Sequence, residues 1–139
     1  MAKAKKIPPA PPPTVEEPVA VYLPAIAAFT YRKFKKVADL VPFTQAEWAG
    51  VLHLSERTLQ RYAKNNGSFE GIYTDRILQL QELVETGLAT FSSPDAFYQW
   101  LKKDKYVMGH VLNFTSLSTT RGIQETLNQL VRIQQGVYA

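Results

Sequence analysis

Apolar residues recur every three to four positions along most of this chain, the spacing of helices that bury one face. Ile26, Phe29, Phe34, Val37 and Val41 predict a helix from Ala25 to Val41, stopped by Pro42. Thr44 followed three residues later by Glu47 is a capping box, which starts a helix running to about Leu52. His53-Leu54 has room for a turn alone, and Ser55 caps the next helix, to about Asn65. After the turn signal Asn66-Gly67-Ser68, Ile77, Leu80 and Val84 predict a helix from Tyr73 to Thr86, with Gly87 as its C′ residue. Ser93-Pro94 opens a further helix that carries Phe97, Trp100 and Leu101 inward. Ile123, Leu127, Leu130 and Val131 predict the last helix, from about Thr119 to Gln135, ended by Gly136. No strand-like alternation is sustained and no segment repeats, so the expected fold class is all-α.

The first 24 residues break this pattern. They hold seven of the nine prolines in the 139-residue chain. Pro8, Pro9, Pro11, Pro12 and Pro13 favour an extended polyproline conformation, so residues 1–24 are expected to be a disordered Pro-rich tail. Removing the tail leaves about 115 residues, enough to bury roughly two-thirds of the unfolded surface. With 45% apolar and 20% charged residues the remainder has globular composition. The longest nearly apolar run, Val19 to Phe29, falls well short of the roughly 20 residues that span a bilayer. Glu16 and Glu17 separate it from Lys3, Lys5 and Lys6, whereas a secretion signal has basic residues directly before its apolar core. The expectation is a soluble, cytoplasmic protein with no membrane partner.

Charge changes the picture through its placement. The net charge is +4, and residues 30–69 hold seven basic residues against Asp39, Glu47 and Glu56. A confined basic block suggests a polyanion surface. Within it, Gln45 to Tyr62 has the spacing of a helix-turn-helix. Trp48, Ala49 and Leu52 face inward from the first helix, Leu54 plugs the turn, and Leu59 and Tyr62 face inward from the second. Ala49 is small where two helices cross at a short turn. His53 stands at the turn position that is usually Gly, and His is among the better tolerated residues in left-handed backbone. The stretch resembles the Xre/Cro-like helix-turn-helix family. Its second helix exposes Ser55, Arg57, Gln60, Arg61 and Lys64, and these are the candidate DNA-binding residues. Arg pairs with guanine and Gln with adenine in the major groove, and a helix start offers backbone N–H groups to phosphate.

The C-terminal half carries a second set of motifs. Residues 93–101 read SPDAFYQWL, Met108-Gly109 and Gly122 follow, and the chain closes on Leu130-Val131-Arg132-Ile133-Gln134-Gln135-Gly136-Val137-Tyr138. This order resembles the toxin-binding domain of Xre/MbcA/ParS-type antitoxins, with matches at Trp100, Leu101, Gly109, Leu117, Thr119, Gly122, Leu130, Arg132, Ile133, Gly136 and Val137. Asp75-Arg76-Ile77 also matches a family segment. Asn113-Phe114 stands where the family has Pro, and His110 stands where a second Gly often follows the first.

The resemblance implies a type II antitoxin. Its partner would be a RES-domain toxin, an NAD⁺-consuming enzyme whose active-site entrance the antitoxin's C-terminal part covers or approaches. Arg132, Ile133, Gly136, Val137 and Tyr138 are then the candidate toxin-binding residues. The helix-turn-helix would bind operator DNA of its own operon, and the protein would act as a homodimer within a larger toxin–antitoxin complex. The implied division is a helix-turn-helix part over 25–68 and a helical toxin-binding part over 69–139. From the residues alone, the apolar tail Val137-Tyr138-Ala139 either enters a partner's groove or packs back on the domain. The stretch 107–120, which lacks Lys, Arg, Asp and Glu, is either core or partner surface. A stand-alone regulator whose C-terminal part dimerises is the alternative. Catalysis has no candidate: there is no Cys, and His53 and His110 fall in different segments. No cofactor and no metal are expected.

Overall fold

The computed structural model describes residues 28–136. The Pro-rich tail, Ala25 to Ala27, and Val137-Tyr138-Ala139 lie outside the described residues. Six helices carry the fold: α1 (Tyr31–Ala38), α2 (Gln45–Leu52), α3 (Glu56–Asn65), α4 (Gly71–Thr90), α5 (Pro94–Lys102) and α6 (Thr120–Gln134). A 3₁₀ turn spans Phe114–Ser118. Four short strands accompany them, β1 (Phe29–Thr30), β2 (Ser68–Phe69), β3 (Lys105–Val107) and β4 (His110–Leu112). The class is all-α, and the small ladders are additions to it.

Those ladders carry no sustained alternation and were not legible in the sequence. β1 pairs antiparallel with β2, and β3 with β4. Runs of two or three residues are too short to display an alternating pattern. Met108 and Gly109, at φ 51° and 88°, close the β3–β4 hairpin. Positive φ at both central positions is the turn that matches strand twist. His110, where the family often has a second Gly, is already in β4 and needs no special backbone.

Helix ends follow local chemistry where that chemistry is strong. Thr44 accepts from the Glu47 amide while Glu47 accepts from the Thr44 amide, at 3.0 and 2.9 Å. Ser55 and Ser93 cap α3 and α5 as expected, and Thr119, read as the start of the last helix, is the cap of α6. Two helices differ in their bounds. The first helix begins at Tyr31 because Thr30 caps it and Phe29-Thr30 pairs with β2, and it ends at Ala38, with Asp39 as its C-cap, rather than at Val41. Gly87 does not terminate a helix; α4 runs on to Thr90. The glycine is there for space, since a Cβ would fall inside the ring of Phe97 from α5.

One hydrophobic core runs through all of this. Phe34 meets Trp48 edge-on at 5.1 Å, Trp48 meets Phe43 at 4.9 Å, and Phe43 meets Phe114 at 4.8 Å, so an aromatic chain links α1 to the 3₁₀ turn. Ile77, Leu80, Leu83 and Val84 of α4 are completely buried, with Leu117 and Leu130 against them in the same core. Trp100 is half-buried rather than turned fully inward, and Lys105 Nζ sits 4.4 Å over its ring while donating to the Trp100 and Lys103 carbonyls. Val131 is exposed, not core. The uncharged stretch divides: Leu112, Phe114 and Leu117 are core, whereas Met108, His110 and Val111 are exposed. Asn113, at the family's proline position, caps the 3₁₀ turn, its Oδ1 accepting from the Thr115 amide at 3.0 Å.

Two glycines in helices give opposite expectations. Gly122 lies in the first turn of α6, and a Cβ there would collide with the Ser116 carbonyl. Gly50 faces open space on α2. Gly122→Ala should cost about 2 kcal/mol through overpacking against rigid backbone. Gly50→Ala should stabilise by roughly 0.5–1 kcal/mol through helix propensity. Urea unfolding at neutral pH measures both.

Candidate functional site

α2 and α3 meet at a turn whose hinge residue is His53, at φ 61° and ψ 37°. Left-handed backbone costs a non-Gly residue energy, and the structure shows what the side chain does there. His53 Nε2 lies 2.6 Å from the Ser118 carbonyl, 65 positions away; a carbonyl only accepts, so the ring nitrogen donates. Arg76 Nη1 of α4 donates to the same carbonyl at 2.7 Å and to that of Val51 at 3.5 Å. The turn, α4 and the start of α6 thus converge on one oxygen.

A second junction lies one turn earlier. The Glu47 carboxylate, already used in the capping box, accepts from the Tyr98 hydroxyl at 2.7 Å. Lys102 approaches it at 3.7 Å and donates to the Tyr98 oxygen at 3.3 Å. Burial alone would raise the Glu47 pKa, but the Thr44 amide, the Tyr98 hydroxyl and Lys102 outweigh burial and hold it below its ordinary 4.5. Burial raises the Tyr98 phenol, and the adjoining carboxylate adds to that.

From this anchorage α3 projects outward. Leu59 is buried and Tyr62 half-buried, so Arg57, Gln60, Arg61 and Lys64 all fall on the exposed side at helical spacing. Among the described residues none of Arg57, Arg61 and Lys64 has an acidic partner, whereas Lys35 is paired with Asp39 at 2.9 Å. Ser55 uses its Oγ to accept from the Thr58 amide at 3.0 Å, which leaves its backbone at the helix start. Gln60 Nε2 donates to Gln45 Oε1 at 3.4 Å, so Gln45 joins this face. Sequence reasoning missed Gln45 because only the fold brings the first residue of α2 to the middle of α3. Four of the five candidate DNA-binding residues therefore share one short helix, and the fifth, Ser55, caps it.

The candidate toxin-binding residues lie elsewhere. Arg132 is exposed, Ile133 half-buried and Gly136 exposed at φ 74°; Val137 and Tyr138 lie outside the described residues. Gln134 fixes this end of α6, donating to Thr90 Oγ1 at 2.7 Å in the last turn of α4. The opposite end of α4 follows β2, next to the end of α3. Twenty helical residues rise about 30 Å, so α4 holds the two sets of residues well apart.

The family model of the antitoxin Xre-like helix-turn-helix domain matches residues 21–82, which take in α2, the His53 turn and α3. Residues 21–82 are thus similar to an Xre-like antitoxin helix-turn-helix domain. Among solved structures it is similar to a chain in the crystal structure of the M. tuberculosis MbcT-MbcA toxin-antitoxin complex, with a TM-score of 0.62 and 14% identity over 76% of this chain and 94% of that one. At that identity the likeness speaks to fold. No curated protein matches the sequence. Among the described residues there is no helix long and apolar enough to cross a membrane, and no group of three or more His, Cys, Asp or Glu arranged to hold a metal ion.

Glu47 makes acid stability testable in this protein. A carboxylate with a lower pKa folded than unfolded stabilises fully above about pH 4.5, and that contribution disappears as pH falls through the folded value. Glu47→Gln should therefore lose stability at neutral pH and show a flatter decline on acidification. Urea midpoints between about pH 7 and pH 3 check this; a decline as steep as in the parent would separate Glu47 from the effect.

Proposed function

We propose that this protein is an Xre-like antitoxin that neutralises a cognate RES-domain, NAD-consuming toxin through its C-terminal part and represses its own operon through α3. The observation that carries the reading is the family match over a helix-turn-helix whose α3 presents unpaired basic residues outward. Arg57, Gln60 and Arg61 read base edges or phosphates, Ser55 offers backbone N–H at the helix start, and Lys64 holds phosphate farther along. The antitoxin works by binding rather than by catalysis. It acts as a homodimer within a larger toxin–antitoxin complex, matching the two half-sites of an operator.

The toxin side of the reading draws on the C-terminal motifs. Trp100-Leu101, Gly109, Gly122 and the close of the chain follow the toxin-binding pattern of Xre/MbcA/ParS-type antitoxins. A similar fold occurs in a toxin–antitoxin complex, which agrees with it. Arg132, Ile133 and Gly136, continued by Val137 and Tyr138, form the contact that closes the toxin's active-site entrance. The functional division is 25–68 for DNA and 69–139 for toxin. The roughly 30 Å of α4 between the two ends leaves room for both partners at once.

Replacing Arg57 and Arg61 with Ala should weaken binding to the operon's own promoter DNA by about 1–3 kcal/mol per arginine and lower the salt dependence, read by titration at several salt concentrations. Unchanged affinity would remove α3 as the recognition helix. Truncation after Gln135 should leave the fold intact and restore toxicity in cells that co-express the toxin, seen as growth arrest and falling NAD⁺. Healthy cells with normal NAD⁺ would mean that the chain end is not the inhibitory element.

A further inference from the structure

An open groove of about 330 Å³ lies between α1 and α4, away from the exposed face of α3. Phe29, Val37 and Leu40 make its floor, and Lys33, Lys36 and Gln81 make its rim. Leu40 is 41% exposed there, in a position where an apolar side chain gains from being covered. Lys33 and Lys36 have no acidic partner among the described residues. The groove therefore suits a segment that is apolar in its body and acidic at one end.

The chain supplies such a segment at the groove itself. Residues 16–27 read EEPVAVYLPAIA, two carboxylates followed by Val19, Val21, Tyr22, Leu23 and Ile26. The described backbone starts at Ala28, whose carbonyl accepts from Lys33 Nζ at 3.2 Å, and the next residue, Phe29, lines the groove. Ile26 is thus within about 10 Å of extended chain from the floor. A tether that short gives an effective concentration that a second copy in solution cannot match. The family model also begins at residue 21, so 21–27 fall inside the matched domain.

We infer that residues 16–27 dock onto their own chain in this groove, with Ile26 and Leu23 covering Phe29, Val37 and Leu40, and Glu16 and Glu17 meeting the lysine rim. Docking completes the α1 side of the domain and leaves α3 and the end of α6 free.

Hydrogen exchange on the full-length protein tests this. Amides in 19–27 should exchange at least about tenfold more slowly than a free peptide. Leu40→Lys should abolish that protection while α4 keeps its own, which shows that the variant still folds. Free-peptide exchange in the parent protein overturns the inference. The chain has no cysteine, so an Ile26→Cys, Gln81→Cys double variant can be bridged with a short bis-maleimide without side reaction. A link within one chain supports docking in cis; a linked dimer gives the groove to a second copy and overturns it.

Discussion

The Ser118 carbonyl is the atom on which the relation between the two ends of this protein depends. It closes the 3₁₀ turn and immediately precedes Thr119, the cap of α6. His53 reaches it from the turn before α3, and Arg76 from α4. A hydrogen bond to a charged donor contributes more than a neutral one, about 1.5–3 kcal/mol, so the Arg76 contact is the stronger of the two. The Glu47–Tyr98 contact adds a second fixed point on α2, between helices far apart in sequence. With both in place, α2 is set against the 3₁₀ turn and α5, and α3 follows from α2 through a turn too short to swing. The direction in which α3 faces is therefore decided largely by residues outside the helix-turn-helix.

This accounts for the turn histidine. Glycine would satisfy the left-handed backbone at lower cost, but it has no donor to offer Ser118. His53 accepts the conformational cost and returns a 2.6 Å contact. The side chain is a structural fastener between the turn and the start of α6. That role also explains why the usual turn glycine is dispensable in this chain.

What was legible in the sequence was local. Thr44, Ser55 and Ser93 announce helix starts because a cap acts across three residues, and each caps as read. The exposed stripe of α3 was legible for the same reason, since helical spacing fixes which side chains share a face. The unread features are long-range. Gly87 resembles a helix stop until Phe97 is placed against it. β1 and β2 exist only because residues 29–30 and 68–69 meet. Arg76 belonged to a recognised motif segment, but its partner is 42 positions away. A pattern within one helix cannot name a partner in another.

The charge distribution bears on the proposal of two partners at opposite ends of so small a protein. The unpaired basic residues of α3 stand near one end of α4, and Arg132 stands near the other. The length of α4, roughly 30 Å, is several times the Debye length of about 8 Å at physiological salt. A polyanion held at α3 is therefore screened from the end of α6, and exposed charges alone carry little between the two. Any influence of one partner on the other has to pass through packed elements. The continuous path is α6 to Thr119, the Ser118 carbonyl, and then His53 and Arg76 to the helix-turn-helix. The same junction that fixes the direction of α3 is thus the packed connection between the two ends.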